Sequence, residues 1–220
     1  MKAFKYYNSY IGLVPRLLMY VGYPLLVGAF AMFQLGFMHY KWMISGVFCL
    51  TMVLTMMLFF CLDRWSIGPI FVKKGQGDEL IKSSPRGREF LKKVLSLDII
   101  FRFVVNLAVT LIIVAVTVIS GFYDEYKIKI ISSAVVYLLA VDGVCNLSMI
   151  ICRLVDGQNE AVISLYGLEV AFVPAIVAIV IGKPVVSLTM AGIYLILDVM
   201  SIAMNIKKTG RLVNEEWYKD

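Results

Sequence analysis

The chain has 220 residues, 60% of them hydrophobic and 16% charged, with a mean hydropathy of +0.85 and a formal net charge of +6. A soluble domain of this size would have too little polar surface, so composition predicts an all-α integral membrane protein. Backbone groups in lipid must pair internally, and the apolar runs lack the alternation of a barrel, which leaves helices as the spanning elements.

Residues 1–15 come first. Phe4, Tyr7, Ile11 and Val14 recur at helical spacing, while Lys2, Lys5, Asn8 and Ser9 fall largely elsewhere on the wheel. That pattern predicts an amphipathic helix lying in the plane of the membrane, with a frayed basic tail as the alternative. The segment lacks the apolar core and small-residue cleavage site of a signal peptide.

Six spans are predicted, near Arg16–Met38, Trp42–Leu62, Ile99–Gly121, Ile130–Cys152, Ala161–Gly182 and Pro184–Asn205. Their links at His39–Lys41, Phe122–Lys129, Arg153–Glu160 and around Lys183 are short. Sequential helices are therefore antiparallel neighbours, and residues 1–220 form a single transmembrane domain. Pro24 and Pro174 are isolated prolines that bend their helices.

Lys and Arg are unevenly spread. Lys2, Lys5 and Arg16 precede the first span, nine lie between Arg64 and Arg102, Arg153 follows the fourth span, and Lys207, Lys208, Arg211 and Lys219 follow the sixth. Alternate loops hold only Lys41, Lys127, Lys129 and Lys183. The positive-inside rule then places both termini and the large loop in the cytoplasm of a bacterial-type inner (plasma) membrane protein. The positive charge is a topology signal and a contact for membrane lipids, so nucleic acid is not a partner.

The one sizeable polar segment is 63–98. Gly68-Pro69 and Gly75-Gln76-Gly77 break any regular structure, and Asp78 is placed to cap a short helix that starts at Glu79. Ser84 before Pro85 is a second helix start, with proline at the first position, where its missing N–H costs nothing. From there Phe90, Leu91, Val94, Leu95 and Leu97 alternate with Arg86, Arg88, Glu89, Lys92, Lys93 and Ser96. This predicts an amphipathic stretch along the interface, leading into the third span. The plain alternative is a solvated basic connector against anionic lipid.

This loop resembles that of the membrane subunits of type-2 ATP-binding-cassette (ABC) exporters. There a cytoplasmic coupling helix joins the second and third spans, followed by a Leu-Pro-x-(Ser/Arg)-Arg turn and a Lys-x-(Leu) lead into the third span. Here Glu79-Leu80-Ile81-Lys82-Ser83-Ser84-Pro85-Arg86-Gly87-Arg88 and Leu91-Lys92-Lys93-Val94-Leu95 stand in those places. The resemblance implies a permease subunit for an amphiphilic substrate such as a lipid, peptide or drug-like molecule. It further implies Asp78, Glu79, Lys82, Ser83, Ser84, Pro85, Arg86 and Arg88 as the contact with a separate ABC ATPase subunit, and a second permease copy or homologue as dimer partner. Ser84 stands where the family usually has an apolar residue. The link Ile181-Gly182-Lys183-Pro184 leaves no room for re-entrant outer helices, which describes a minimal permease.

No Gly-x-x-x-x-Gly-Lys-(Ser/Thr) loop is present, so ATP is expected on the partner chain, with no cofactor bound directly and no catalysis by this chain alone. Cys49, Cys61, Cys145 and Cys152 form no Cys-x-x-Cys pair, and His39, the single histidine, is predicted on the opposite side from Cys61. That argues against zinc, disulfides and a Cys/His peptidase.

Asp142, Glu169 and Asp198 lie within apolar spans. An ionised carboxylate at mid-bilayer costs about 2.5–3.5 kcal/mol, so each must face the bundle or a wet cavity. Asp142 and Asn146 are one turn apart and share a face. These four residues line a substrate or cation path, or else serve interhelical hydrogen bonding or are buried in neutral form by desolvation. The same acids suit an ion-coupled carrier, although no internal repeat or glycine-proline pair at depth accompanies them. Asp142-Gly143 and Asp156-Gly157 are similar to the Asp-Gly starts of CDP-alcohol phosphotransferases, but the remaining acids do not follow that spacing. A non-transporting accessory or immunity protein is the last alternative.

Overall fold

The computed structural model describes residues 11–37, 42–63, 84–154 and 167–214, and all regular structure among them is helical. The first helix, α1 (residues 13–37), joins α-helical stretches Leu13–Leu17 and Tyr23–Met32 through a π turn at Leu18–Gly22 and ends in another at Phe33–Phe37. The first π turn has a local cause. Pro24 removes the donor that the Tyr20 carbonyl requires and crowds that carbonyl, so the backbone widens one turn earlier. Then follow α2 (Met43–Leu62), α3 (Pro85–Ile119), α4 (Tyr123–Leu154), α5 (Gly167–Ile181) and α6 (Pro184–Asn214). Pro174 acts similarly in α5, where the 3-10 turn Val170–Phe172 begins four residues before it.

Five helices, all but α5, are long and apolar enough to cross a membrane. The described part of α5 is a shorter apolar helix. The predicted start of the fifth span, 161–166, lies outside the described residues. So do residues 1–10 of the expected in-plane helix, whose last residues from Leu13 already belong to α1.

The helix α4 is the hub, packing on α2, α3, α5 and α6. Its residues Val136, Tyr137, Ala140, Val141 and Val144 are wholly buried, against Phe48, Met52, Val109 and Ile179 among others. Helix α1 lies mainly on α3 and presents Leu25, Leu26 and Met32 outward. Such exposed apolar side chains are what a lipid-facing wall requires.

Three boundaries differ from the sequence-based expectation. Between α3 and α4 the expected eight-residue link Phe122–Lys129 is compressed into a tight turn at Ser120–Phe122, where Gly121 has φ 80 and α4 starts at Tyr123. A bend at Tyr126 (φ −121, ψ 15) absorbs the change. Helix α6 runs past Asn205 to Asn214. Most consequentially, the amphipathic stretch after Ser84 does not turn along an interface before the third span: Pro85–Ile119 is one uninterrupted helix of 35 residues. At about 1.5 Å per residue it is roughly 50 Å long, well over the roughly 30 Å hydrocarbon thickness. Its first four turns form a stalk, with Leu91, Val94 and Leu95 buried and Val94 against Ile11.

Candidate functional site

The stalk begins where the sequence predicts. Ser84 is the N-cap, its Oγ accepting from Gly87 N at 2.9 Å, and Pro85 occupies the first turn. Arg86 is exposed and Arg88 half-buried. One turn on, exposed Lys93 donates to Glu89 at 2.7 Å and holds that carboxyl below its usual range. Water screens this pair, which adds little to stability. Asp78, Glu79, Lys82 and Ser83 lie outside the described residues.

Where the stalk enters the bundle, a buried ion triad joins α3 to the C-terminal end of α2. Arg102 grips Asp63 with both terminal nitrogens, at 2.9 and 2.8 Å, and its Nε lies 3.0 Å from Asp98 Oδ2. Its guanidinium also stacks 5.1 Å from the Phe59 ring centroid. All three charged side chains are at most 3% exposed. The bidentate fork is why arginine suits this place. Its position along the chain groups Arg102 with the loop charges, yet it is a core residue. The signal was there: Asp98, Arg102, Asn106 and Thr110 recur every fourth residue, one face of a helix in apolar surroundings, and all four are buried.

One turn deeper lies the second polar layer. Asn146 Nδ2 donates to Asp142 Oδ2 and to Asp198 Oδ1, both at 3.2 Å, and Asn106 Nδ2 donates to Asp142 Oδ1 at 3.1 Å. Three helices, α3, α4 and α6, thus converge on two carboxyl groups. Gly143 permits this, because a Cβ there would stand 2.6 Å from Leu197 Cδ2 and 3.3 Å from the Asp198 backbone. Small residues let helices approach closely enough for short polar side chains to meet. The Asp142-Gly143 pair therefore has a packing explanation, while Asp156-Gly157 lies outside the described residues.

Of the four predicted path residues, Asp142, Asn146 and Asp198 come together and Glu169 does not join them. Glu169 stands at the start of α5, half-buried, with Oε1 enclosed and accepting no hydrogen bond. The register of α5 turns it elsewhere, which sequence alone does not reveal.

A groove between α3 and α6 leads to the carboxyl pair. Ile99, Ile100 and Phe103 form one wall, Ile202 and Ile206 the other, and Asp142 and Asp198 are at its floor, enclosing about 430 Å³. A smaller depression of about 210 Å³ shares Ser96, Ile99 and Ile206 with it and reaches Lys92 on the stalk.

A third polar group escaped the sequence reading. The Tyr23 hydroxyl meets Thr55 Oγ1 and the Thr51 carbonyl, and Thr55 Oγ1 lies 3.2 Å from the Tyr137 hydroxyl, tying α1, α2 and α4 together. In apolar surroundings each hydroxyl needs such a partner, so this network reads as interhelical adhesive. Cys49, Cys61 and Cys145 are free thiols. Among the described residues no group of three or more His, Cys, Asp or Glu is placed to hold a metal ion.

Five helices long and apolar enough to cross a membrane, with buried polar layers between them, are consistent with a multi-pass membrane protein. No protein-family model, curated protein or solved structure matches the chain.

Proposed function

We propose that the chain is the permease subunit of an ATP-driven exporter of the type-2 ABC kind. It pairs with a second copy or a homologue in an inner (plasma) membrane, with both termini cytoplasmic, and carries an amphiphilic molecule. The observation that carries this reading is that α3 is at once the basic stalk and a wall of the groove. A displacement of the stalk by an ATPase bound at Ser84–Arg88 moves Ile99, Ile100 and Phe103 relative to α6. The triad at Arg102 lies at the level of the groove's α3 wall and makes α3 move with α2 as a unit. In this reading ATP is held by the partner chain, and this chain performs positioning and conduction.

Topology is the first check. Single cysteines introduced at His39, Tyr123 and Lys183 are expected to react with an impermeant reagent from outside, and those at Gln76, Asn159 and Lys208 from inside. External labelling of Gln76 would remove the coupling argument.

Coupling is the second. Arg86→Ala and Pro85→Gly are expected to leave the protein inserted and to abolish stimulation of the partner ATPase. Undiminished ATPase activity and co-purification in both variants would sink the stalk's role.

A second reading, an ion-coupled carrier, is favoured by the Asp142–Asn146–Asp198 layer. A driving ion needs a site whose occupancy favours one access state. The two separate in reconstituted transport: the exporter stops when ATP is withheld, while a carrier runs on a proton or sodium gradient with this chain alone.

A further inference from the structure

The floor of the groove brings the carboxyl groups of Asp142 and Asp198 together, and among the described residues no Lys or Arg lines it. Asp142 and Asp198 hydrogen-bond each other and accept from the neutral amides of Asn106 and Asn146. The nearest cation along α3, Arg102, is engaged by Asp63 and Asp98. Asn106, wholly buried, turns its amide nitrogen to Asp142, and its Oδ1 in the same amide plane accepts no hydrogen bond. The carboxyl pair thus offers acceptor oxygens to a positive charge that enters the groove.

The shape of the site distinguishes between kinds of cation. A bare inorganic ion needs only a few close oxygens, whereas this site opens into a cleft of about 430 Å³ walled by Ile99, Ile100, Phe103, Ile202 and Ile206. That size falls within the roughly 300–1,000 Å³ of small-molecule pockets, and apolar walls with a few converging polar groups are their usual make-up. Access is lateral. Ile100, Phe103 and Ile206 are 57%, 37% and 55% exposed on the lipid-facing side, while Lys92 flanks the stalk end and repels a cation arriving from water.

From these observations we infer that the α3–α6 groove binds a lipophilic organic cation, with its charge against Asp142 and Asp198 and its apolar body between the isoleucines. The inference rests on the transport reading above and names its substrate class. Ser96 and Phe103 mark the two ends of the α3 wall, about two turns apart.

The test is equilibrium binding to the purified full chain in nonionic detergent, without ATP or a partner, using tetraphenylphosphonium and its anionic isostere tetraphenylborate. Saturable binding of the cation and none of the anion is expected. Asp142→Asn with Asp198→Asn is expected to weaken cation binding roughly thirtyfold or more, the low end for loss of a buried charge partner. Ile206→Trp, which fills the groove and leaves the carboxyls in place, is expected to weaken it similarly. If the double variant does not fold, I206W decides alone, and unchanged binding there overturns the inference. Equal binding of tetraphenylborate overturns it, as does sodium binding at the carboxyls without tetraphenylphosphonium. Binding that succeeds while ATP-dependent transport fails removes the exporter reading and leaves the site.

Discussion

Replacing Arg102 by Met is expected to destabilise the protein by about 3–5 kcal/mol, because it leaves two buried carboxylates without their cation. Asp63 and Asp98 have no solvent to turn to, each side chain being 1% exposed. Arg102→Lys is expected to recover only part of the loss, since an ammonium keeps the charge but cannot reproduce the two-pronged grip on Asp63 while also reaching Asp98. The informative comparison is the triple variant Asp63→Asn, Asp98→Asn, Arg102→Met. With no buried formal charge left, most of the stability is expected to return, since exchanging a whole buried ion group is far milder than breaking one. Denaturation midpoints of the purified variants in one detergent measure all three. A single Arg102→Met variant as stable as the parent would mean that the triad holds nothing together.

The consequence for function follows from position. Asp63 is the last described residue of the segment that ends α2, and Arg102 lies one turn below Asn106, so the triad ties the end of α2 to α3 and abuts the carboxyl layer. Loosening it frees the stalk from α2, and any push delivered at Ser84–Arg88 is then dissipated before reaching the groove.

Hydropathy alone located the helices because lipid leaves the backbone one solution. The second span, predicted at Trp42–Leu62, is found at Met43–Leu62. It could not locate where helices end in water. There Ser84 and Pro85 gave a local start signal that the structure repeats, whereas Tyr123–Lys129, rich in charge, read as a loop although Asp124 and Glu125 occupy a favourable first helical turn. The polar layers were half legible. Asp142 and Asn146 share a face by spacing, but their meeting with Asp198 depends on the rotation of α6, and the absence of Glu169 from the layer on that of α5. Asp63 and Arg102 are 39 residues apart and joined only by packing, so no spacing rule connects them. Charge counting misassigned Arg102 because it weighs residues by sign and position along the chain, without their face.

Gly143→Leu is expected to separate α4 from α6 and dismantle the carboxyl layer. At this glycine the nearest atom to an added Cβ, Leu197 Cδ2 at 2.6 Å, is the end of a flexible side chain, but the Asp198 Cα and N at 3.3 Å are backbone and cannot swing aside. Gly143→Ala therefore needs a shift of Leu197 and a few tenths of an ångström between helices, whereas leucine adds bulk with no place to go. Overpacking of this kind costs about 1–3 kcal/mol. The loss is compounded because Asn146 Nδ2 serves Asp142 and Asp198 at 3.2 Å each, distances with little slack before a hydrogen bond lapses. Gly192, on the α6 side, provides the control: an added Cβ meets nothing within 4 Å, so Gly192→Ala is expected to be neutral or slightly stabilising as a better helix former. The expected order of stability is Gly192→Ala at or above the parent, then Gly143→Ala, then Gly143→Leu, with tetraphenylphosphonium binding lost in the last. A Gly143→Leu protein that matches Gly192→Ala in denaturation midpoint would show that α4 and α6 are not held at this approach, and that the two carboxyl groups owe their meeting to something other than the missing side chain.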